Sequence, residues 1–223
     1  GLNNDWDLSC LVINLLFNQI EKPPVYRSKD PWAQYEETVS QCHVGALGDF
    51  LRSTAKPLTA MLQKAGKTKN AFIYGLYSGD VGSGNIIKQI FQEVYLGKDL
   101  FESTYGQPPK FYQYDGLIHR EALLIDKGLL DELAAEHVLA IATGRPRAEA
   151  DYPLAHFGIR KYFTRVMALE DCLEKEKQVL KAEGRKVSLS KPHPYMLDAI
   201  ATDINIPVAE YFYTQGHGEL GNR

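Results

Sequence analysis

Apolar residues recur with helical spacing through the first half of the chain. The first stripe predicts an amphipathic helix that ends before two consecutive prolines, and its members are Leu8, Leu11, Val12, Leu15 and Leu16. Further helices are predicted over residues 31–51 and 86–95, the second of them stopped by Gly97. After a polar connection, another helix is predicted over about 120–136. This half of the chain is therefore expected to be helical throughout.

The second half of the chain has a different pattern. Short apolar runs at 138–142, 165–169 and 210–214 are typical of strands buried in a parallel sheet, and helical patterns separate them. This alternation predicts an α/β fold with a partial Rossmann-like parallel sheet core over residues 131–223. The preceding residues, 1–130, are expected to form a separate all-helical domain.

Composition and charge narrow the classes of function. The 223 residues carry a formal net charge of −3, which argues against a nucleic-acid partner and against electrostatic docking on a membrane. The apolar segment 8–20 is too short and too polar to span a bilayer, and no signal peptide is recognisable. Three cysteines without CxxC spacing indicate reduced thiols of a cytoplasmic protein: Cys10, Cys42 and Cys172.

The first predicted strand ends in a candidate anion site. Ligands of open parallel sheets bind beyond the carboxyl ends of the strands, and Thr143 follows the 138–142 run directly. Its hydroxyl can donate to an anionic oxygen, and Gly144 allows close backbone approach. Arg145 and Arg147 can pair with phosphate or carboxylate. The alternative is an ordinary strand-to-helix turn with two solvated arginines.

A lysine near the last predicted helix strengthens the anion hypothesis. Lys191 directly precedes Pro192, which suits the first position of a helix. An ammonium group at a helix start is unfavourable unless it shares an anion there. The alternative is a surface lysine in front of a capping proline.

These two motifs resemble those of the haloacid dehalogenase-like hydrolases. The Thr-Gly-Arg after a strand is similar to the second motif of that family, and Lys-Pro-x-Pro-x-x-Leu is similar to the third. The resemblance implies that Thr143 and Lys191 hold a phosphoryl group, with Gly144 and Arg145 also binding substrate. It further implies an Mg²⁺-dependent phosphatase that acts on a small phosphorylated metabolite through an aspartyl-phosphate. The helical first half resembles the cap domain of subfamily I.

The chain departs from the family pattern at its other two motifs. The family's nucleophile is the first Asp of a DxD motif after an apolar strand, whereas Asp5 and Asp7 lead into a helical pattern instead. Gly79-Asp80 follows an apolar run but precedes the second motif, and Glu219 is the only acid after the last predicted strand. The magnesium ligands are therefore not identifiable in this chain.

Three hypotheses follow from this mismatch. The first is a phosphatase whose nucleophile-bearing segment is absent from this chain, because the chain begins without Met and inside a structured element. The second is a catalytically inactive domain of the same kind, which binds phosphate or regulates. The third is a helical interaction module, which an exposed apolar groove between Ile86 and Tyr95 would favour.

Overall fold

The computed structural model describes residues 5–20, 27–67 and 71–205. Helices dominate these residues, with a small parallel sheet in the second half. The chain divides into two compact units, residues 1–119 and 120–223. The coarse prediction of an α/β protein with a helical part is thus confirmed. The strand predicted at 210–214 and the acid Glu219 lie outside the described residues.

The first unit is built from six α-helices within the described residues. They are α1 (Asp5–Phe17), α2 (Pro31–Ser40), α3 (Val44–Ser53), α4 (Pro57–Lys67), α5 (Ala71–Leu76) and α6 (Ile86–Tyr105). A short 3-10 helix at Leu117–Arg120 follows.

Helix α1 lies between two apolar clusters. One of its faces packs against α3 and α4 through Leu11, Leu15, Leu16, Leu47, Met61 and Ala65. The adjacent face packs against α5 and α6 through Cys10, Phe17, Ile73, Leu76 and Ile87. The predicted stripe contributes to the first cluster, but Leu8 is exposed. Burial on two faces explains why α1 is apolar almost all round rather than strongly amphipathic.

The prediction of one helix over residues 31–51 is wrong, since α2 and α3 are separate. Helix α2 ends at Ser40, and the side chain of His43 caps the start of α3 by accepting a hydrogen bond from the Ala46 N–H (2.9 Å). The apolar spacing continues across the break, so periodicity alone conceals it. A histidine is an uncommon N-cap, and this sequence signal is correspondingly weak.

Gly97 interrupts α6 but does not end it. Its backbone adopts φ 73° and ψ 174°, and the helix resumes and continues to Tyr105. At this point α6 meets the 114–116 segment: Lys98 N–H donates to Tyr114 O (3.1 Å), and Gly97 pairs with Asp115 in an antiparallel bridge. A Cβ on Gly97 would overlap the backbone of Gly116, and one on Gly116 would overlap the backbone of Leu96 and Gly97. The predicted stop is therefore a close backbone crossing.

The second unit contains four α-helices and the two described strands. In chain order these are α7 (Lys127–Glu136), β1 (Leu139–Ala142), α8 (Arg147–His156), a 3-10 helix (Arg160–Tyr162), β2 (Phe163–Met167), α9 (Leu169–Glu183) and α10 (Tyr195–Asp203). The strands are parallel, with Ala140 opposite Arg165 and Ala142 opposite Met167.

Apolar clusters cover both faces of this sheet. Ala140 and Ala142 pack on one side against a cluster of Met167, Cys172, Leu189, Met196 and Ile200. Leu139 and Ile141 pack on the other side against a cluster of Leu130, Leu154, Ile159 and Val166. A strand covered on both faces is apolar at every position, which is why the 138–142 run was recognisable in the sequence.

Three predicted bounds differ from the structure. The helix predicted from residue 120 begins at Lys127, where the Asp126 carboxylate caps it by accepting from Gly128 N–H (2.7 Å) and Leu129 N–H (3.3 Å). The strand predicted over 165–169 runs from Phe163 to Met167. The predicted domain boundary near residue 130 falls inside α7, whose Leu130 belongs to the core of the second unit.

Candidate functional site

Thr143 lies where the sequence places it, one residue beyond the carboxyl end of β1. Its N–H donates to Met167 O (2.9 Å), which extends the pairing of the two strands by one residue. Its Oγ1 accepts a hydrogen bond from the Arg145 N–H (3.1 Å), so the side chain is held over the turn. A hydroxyl that accepts one hydrogen bond still has its own proton to donate. Thr143 is thus fixed in position with a donor to offer an anion.

Lys191 and Gly144 are brought together by the fold. The Lys191 Cε lies 3.9 Å from the position that a Cβ on Gly144 would occupy. Gly144 is exposed, whereas Lys191 is half-buried. A side chain from a segment 47 residues further along the chain therefore reaches the Thr143–Gly144 turn, as a shared anion site requires.

The predicted helix start at Pro192 is wrong. Helix α10 begins at Tyr195, and a tight turn over Ser190–His193 precedes it, closed by the His193 N–H donating to Ser190 O (3.1 Å). The Lys191–Pro192 peptide within this turn is cis. The His193 Nδ1 accepts from the Tyr195 N–H (3.1 Å) at the start of α10. Lys191 is therefore not in the first helical turn, and the helix-dipole argument for an anion no longer applies to it.

Arg145 forms an ion pair with Glu121. Its Nη2 and Nη1 donate to the two carboxylate oxygens of Glu121 at 2.6 and 3.3 Å. Its Nη1 also lies 3.5 Å from Glu149 O. This two-pronged arrangement is the one that arginine makes with carboxylates generally. Arg145 was predicted to bind substrate, but in this structure its guanidinium is occupied by a protein carboxylate.

Arg147 is likewise held by protein groups. Its Nη1 donates to Val166 O (3.0 Å), and its Nη2 donates to the Asp171 carboxylate. Its backbone N–H donates to the Glu170 carboxylate (2.7 Å). Asp171 also accepts from the Ala168 N–H (2.7 Å) at the start of α9.

Glu121 and Asp171 were not among the predicted site residues. Asp171 carries a sequence signal, since an acid at the third position of a helix commonly reaches back to the N-cap N–H. Glu121 carries no such signal, because its pairing with Arg145 joins residues 24 positions apart and follows no local pattern.

The two acidic motifs outside the second unit have structural partners. Asp7 lies in the first turn of α1 and accepts a hydrogen bond from the Tyr77 hydroxyl (2.6 Å). Burial raises the pKa of Tyr77, and the bond to Asp7 raises it further. Asp80 follows helix α5 rather than a strand and pairs with Lys88 at 2.6 Å. Burial alone would raise the pKa of Asp80, but hydrogen bonds from Lys88 and the Val81 N–H outweigh it and lower the pKa.

The described residues contain no group of three His, Cys, Asp or Glu side chains arranged to bind a metal ion. The predicted Mg²⁺ therefore stays a prediction without ligands. Cys10, Cys42 and Cys172 are free thiols. Within the described parts of the chain, no helix combines the length and apolar character that crossing a membrane requires.

The first unit carries an apolar pocket of about 240 Å³. Helices α1 and α6 form its walls, and the lining residues are Ser9, Ile13, Ile87, Ile90, Phe91, Val94, Tyr95 and Leu117. The pocket lies along the stretch of α6 between Ile86 and Tyr95, where an exposed apolar groove would favour the interaction-module hypothesis. That hypothesis stays a prediction.

Comparison with protein-family models finds no match, and neither does comparison with curated proteins. Among solved structures, a crystal structure determined by the Northeast Structural Genomics Consortium is similar, with a TM-score of 0.54 and 24% identity. The similarity covers 89% of this chain and 58% of that one. This chain thus spans somewhat more than half the length of that protein, and the likeness concerns the fold.

Proposed function

We propose that the second unit binds the phosphoryl group of a small phosphorylated molecule between Thr143, Gly144 and Lys191. The proximity of the Lys191 side chain to the Gly144 backbone carries this proposal. Thr143 and Gly144 follow the carboxyl end of β1, and the Lys191 side chain approaches Gly144. A hydroxyl donor, an open glycine backbone and an ammonium group together match the charge and hydrogen-bonding needs of a phosphate. Arg145 and Arg147 are assigned no direct contact, because carboxylates already occupy both guanidinium groups.

The activity proposed for the whole protein is a haloacid dehalogenase-like phosphatase. In such a reaction a carboxylate attacks phosphorus, the alcohol leaves with a proton, and water then hydrolyses the acyl-phosphate. Negative charge shifts among the phosphoryl oxygens during both steps. Thr143 and Lys191 would stabilise that charge by a hydrogen bond and by electrostatic attraction, respectively. The magnesium ion of that family would neutralise phosphate charge.

A second candidate function is phosphate binding without turnover. It is favoured by the partners of the acidic candidates within the described residues, since Asp7 is bonded to Tyr77 and Asp80 to Lys88. Asp7 lies within helix α1, and Asp80 follows helix α5. This chain is therefore expected to bind phosphate but to release no phenol from an aryl phosphate in the presence of Mg²⁺. Turnover that disappears in Thr143→Val would contradict that expectation and favour the enzyme.

Phosphate titration of this chain tests the proposed site of Thr143, Gly144 and Lys191 directly. Lys191→Ala is expected to weaken the binding of inorganic phosphate about tenfold or more, because a charge-assisted hydrogen bond contributes about 1.5–3 kcal/mol. Thr143→Val keeps the shape of the side chain, removes the hydroxyl, and is expected to weaken binding severalfold. Lys186→Ala is the matched control, since it removes the same charge from an exposed position of the same unit. Equal affinity in Lys191→Ala and Lys186→Ala would refute the proposed site.

A further inference from the structure

The end of β2 and the start of α8 are joined by one guanidinium group. Arg147 is the first residue of α8, and its side chain reaches Val166 O in β2 (3.0 Å) as well as the Asp171 carboxylate in α9. Asp171 in turn accepts from the Ala168 N–H (2.7 Å). Arg147 and Asp171 thus connect three elements that meet at the carboxyl edge of the sheet.

The backbone of the Thr143–Arg145 turn is hydrogen-bonded to the end of β2 and the start of α9. Thr143 N–H donates to Met167 O (2.9 Å), and Leu169 N–H donates to Arg145 O (2.9 Å). Met167 is the last residue of β2 and Leu169 is the first residue of α9, so the two hydrogen bonds attach the turn on either side of the connection between these elements. The position of the turn therefore depends in part on this part of the chain, which Arg147 contacts at Val166 O and Asp171 contacts at the Ala168 N–H.

We propose that Arg147 and Asp171 are positioning residues that set the phosphate affinity of the site formed by Thr143, Gly144 and Lys191 without contacting the anion. This inference rests on the proposed phosphate site. Electrostatics alone predicts that removal of the negative charge of Asp171 strengthens anion binding. A positioning role predicts instead that this removal weakens it.

Charge and position make the same prediction for Arg147→Ala but opposite predictions for Asp171→Asn. If long-range charge governed the affinity, Arg147→Ala would weaken phosphate binding and Asp171→Asn would tighten it. If position governs it, both substitutions weaken binding, and we expect about tenfold for each, similar to the loss of metal affinity when partners that orient metal ligands are removed. Tighter phosphate binding in Asp171→Asn would overturn the inference.

The same unit offers a matched control pair. Arg165 Nε lies 3.1 Å from the Asp203 carboxylate, and this ion pair joins β2 to α10. Arg165→Ala and Asp203→Asn repeat the two charge changes in a pair that links β2 to α10, and both are expected to leave phosphate affinity within twofold of wild type. An equal loss in the control pair would show that any ion pair in the unit has this effect, and would refute a specific positioning role.

The dependence of phosphate affinity on salt separates contact from position. A residue that contacts the anion contributes to the salt dependence, so Lys191→Ala is expected to flatten it. Arg147→Ala is expected to lower the affinity at every salt concentration with an unchanged slope. A flattened slope in Arg147→Ala would show direct contact and overturn the inference.

Amide hydrogen exchange without phosphate tests the position of the turn independently of binding. The Thr143 amide is expected to exchange at least tenfold faster in Arg147→Ala and Asp171→Asn than in wild type, and at the wild-type rate in the control pair. Wild-type protein that binds no phosphate would refute the proposed function, and exchange at Thr143 would then decide the positioning role alone. Unchanged exchange would overturn it.

A conservative variant keeps the experiment decisive if Arg147→Ala does not fold. Arg147→Lys retains the charge, but a single ammonium group cannot span Val166 O and the Asp171 carboxylate as the guanidinium fork does. The phosphate affinity of Arg147→Lys is expected to lie between the affinities of wild type and Asp171→Asn. Full wild-type affinity and full protection of the Thr143 amide in Arg147→Lys would show that charge alone suffices.

Discussion

Gln92 and Gln89 lie on the same buried side of α6, and their amide groups differ in hydrogen bonding. The Gln89 amide donates to Glu93 (2.9 Å) and accepts from the Gly82 N–H (3.3 Å). Gln92 is fully buried, yet neither its Nε2 nor its Oε1 has a hydrogen-bond partner among the residues that the structure describes. A buried amide without partners costs free energy, whereas a paired one stabilises the fold modestly.

Replacement of each glutamine by methionine is expected to change stability in opposite directions. Gln92→Met keeps the length of the side chain, removes the unpaired amide, and is expected to raise the free energy of unfolding by about 1 kcal/mol. Gln89→Met leaves the Gly82 N–H without its acceptor and removes one of the hydrogen bonds to the buried Glu93 carboxylate, and is expected to lower the free energy of unfolding by about 2 kcal/mol. Urea unfolding measures both. A loss of stability in Gln92→Met would show that its amide is paired after all, for example with an internal water.

The neighbouring carboxylate of Glu93 shows why hydrogen-bond partners that are distant along the chain are not predictable from the sequence. Glu93 is fully buried and accepts hydrogen bonds from the N–H groups of Lys110 (2.9 Å), Phe111 (2.7 Å) and Tyr112 (3.0 Å). The helical pattern places Glu93 among apolar neighbours but does not identify partners 17 to 19 residues away. The partners of Arg145 and Arg147 were concealed for the same reason. Thr143 was predictable, because an apolar run that ends abruptly marks the end of a strand by itself.

At the scale of elements, the crossing of α6 and the 114–116 segment depends on two glycines. Gly97 adopts a positive φ together with an extended ψ, a region essentially reserved for glycine. Gly116 approaches so closely that a Cβ on either residue would overlap the other segment's backbone. The crossing therefore joins α6 to the chain segment that leads out of the first unit, with no side chain between them.

Gly97→Ala is expected to destabilise the first unit by about 3 kcal/mol or more. The cost combines backbone strain of about 1–3 kcal/mol with the overlap of the new methyl group and the Gly116 backbone. Gly75→Ala is the control, because it lies in helix α5 with open space around its Cβ position, and alanine there is expected to stabilise by up to about 1 kcal/mol. Thermal unfolding followed by circular dichroism compares them. Equal melting temperatures for the two variants would contradict the crossing.

Sequence periodicity was sufficient for the strongest elements and insufficient at their ends. The stripe of α1 and the apolar run of β1 are long or continuous enough to be unambiguous. The division between α2 and α3 depends on a histidine cap, and the start of α7 depends on Asp126, so both are decided by single side chains. The start of α10 is displaced for a different reason, because a backbone turn at 190–193 delays the helix by three residues relative to the predicted start at Pro192.

At the scale of the whole molecule, each unit has its own apolar clusters. The residues in the clusters around α1 all precede residue 120, and the clusters on either face of the sheet consist of later residues only. The proposed phosphate site belongs entirely to the second unit. The free energy of phosphate binding should therefore stabilise the second unit, since a ligand stabilises the structure to which it binds.

Phosphate is expected to slow hydrogen exchange in the second unit only. At 100 times the dissociation constant, linkage supplies about 2.7 kcal/mol, which corresponds to about a hundredfold slower exchange for amides that exchange by unfolding of that unit. Amides of β1, β2 and α9 should show this protection, whereas those of α1 and α6 should not. Lys191→Ala should abolish it at the same phosphate concentration. Equal protection of α1 and β1 would contradict a site confined to the second unit.

The glycine crossing also constrains how this sequence can change over time. Positions 97 and 116 are nineteen residues apart, and a side chain at either one requires the other segment to move away. A lineage that loses one glycine and separates the two segments no longer needs the second. Distant relatives should accordingly keep glycine at both positions or at neither. This spacing offers an anchor for aligning them even where overall identity is too low to do so.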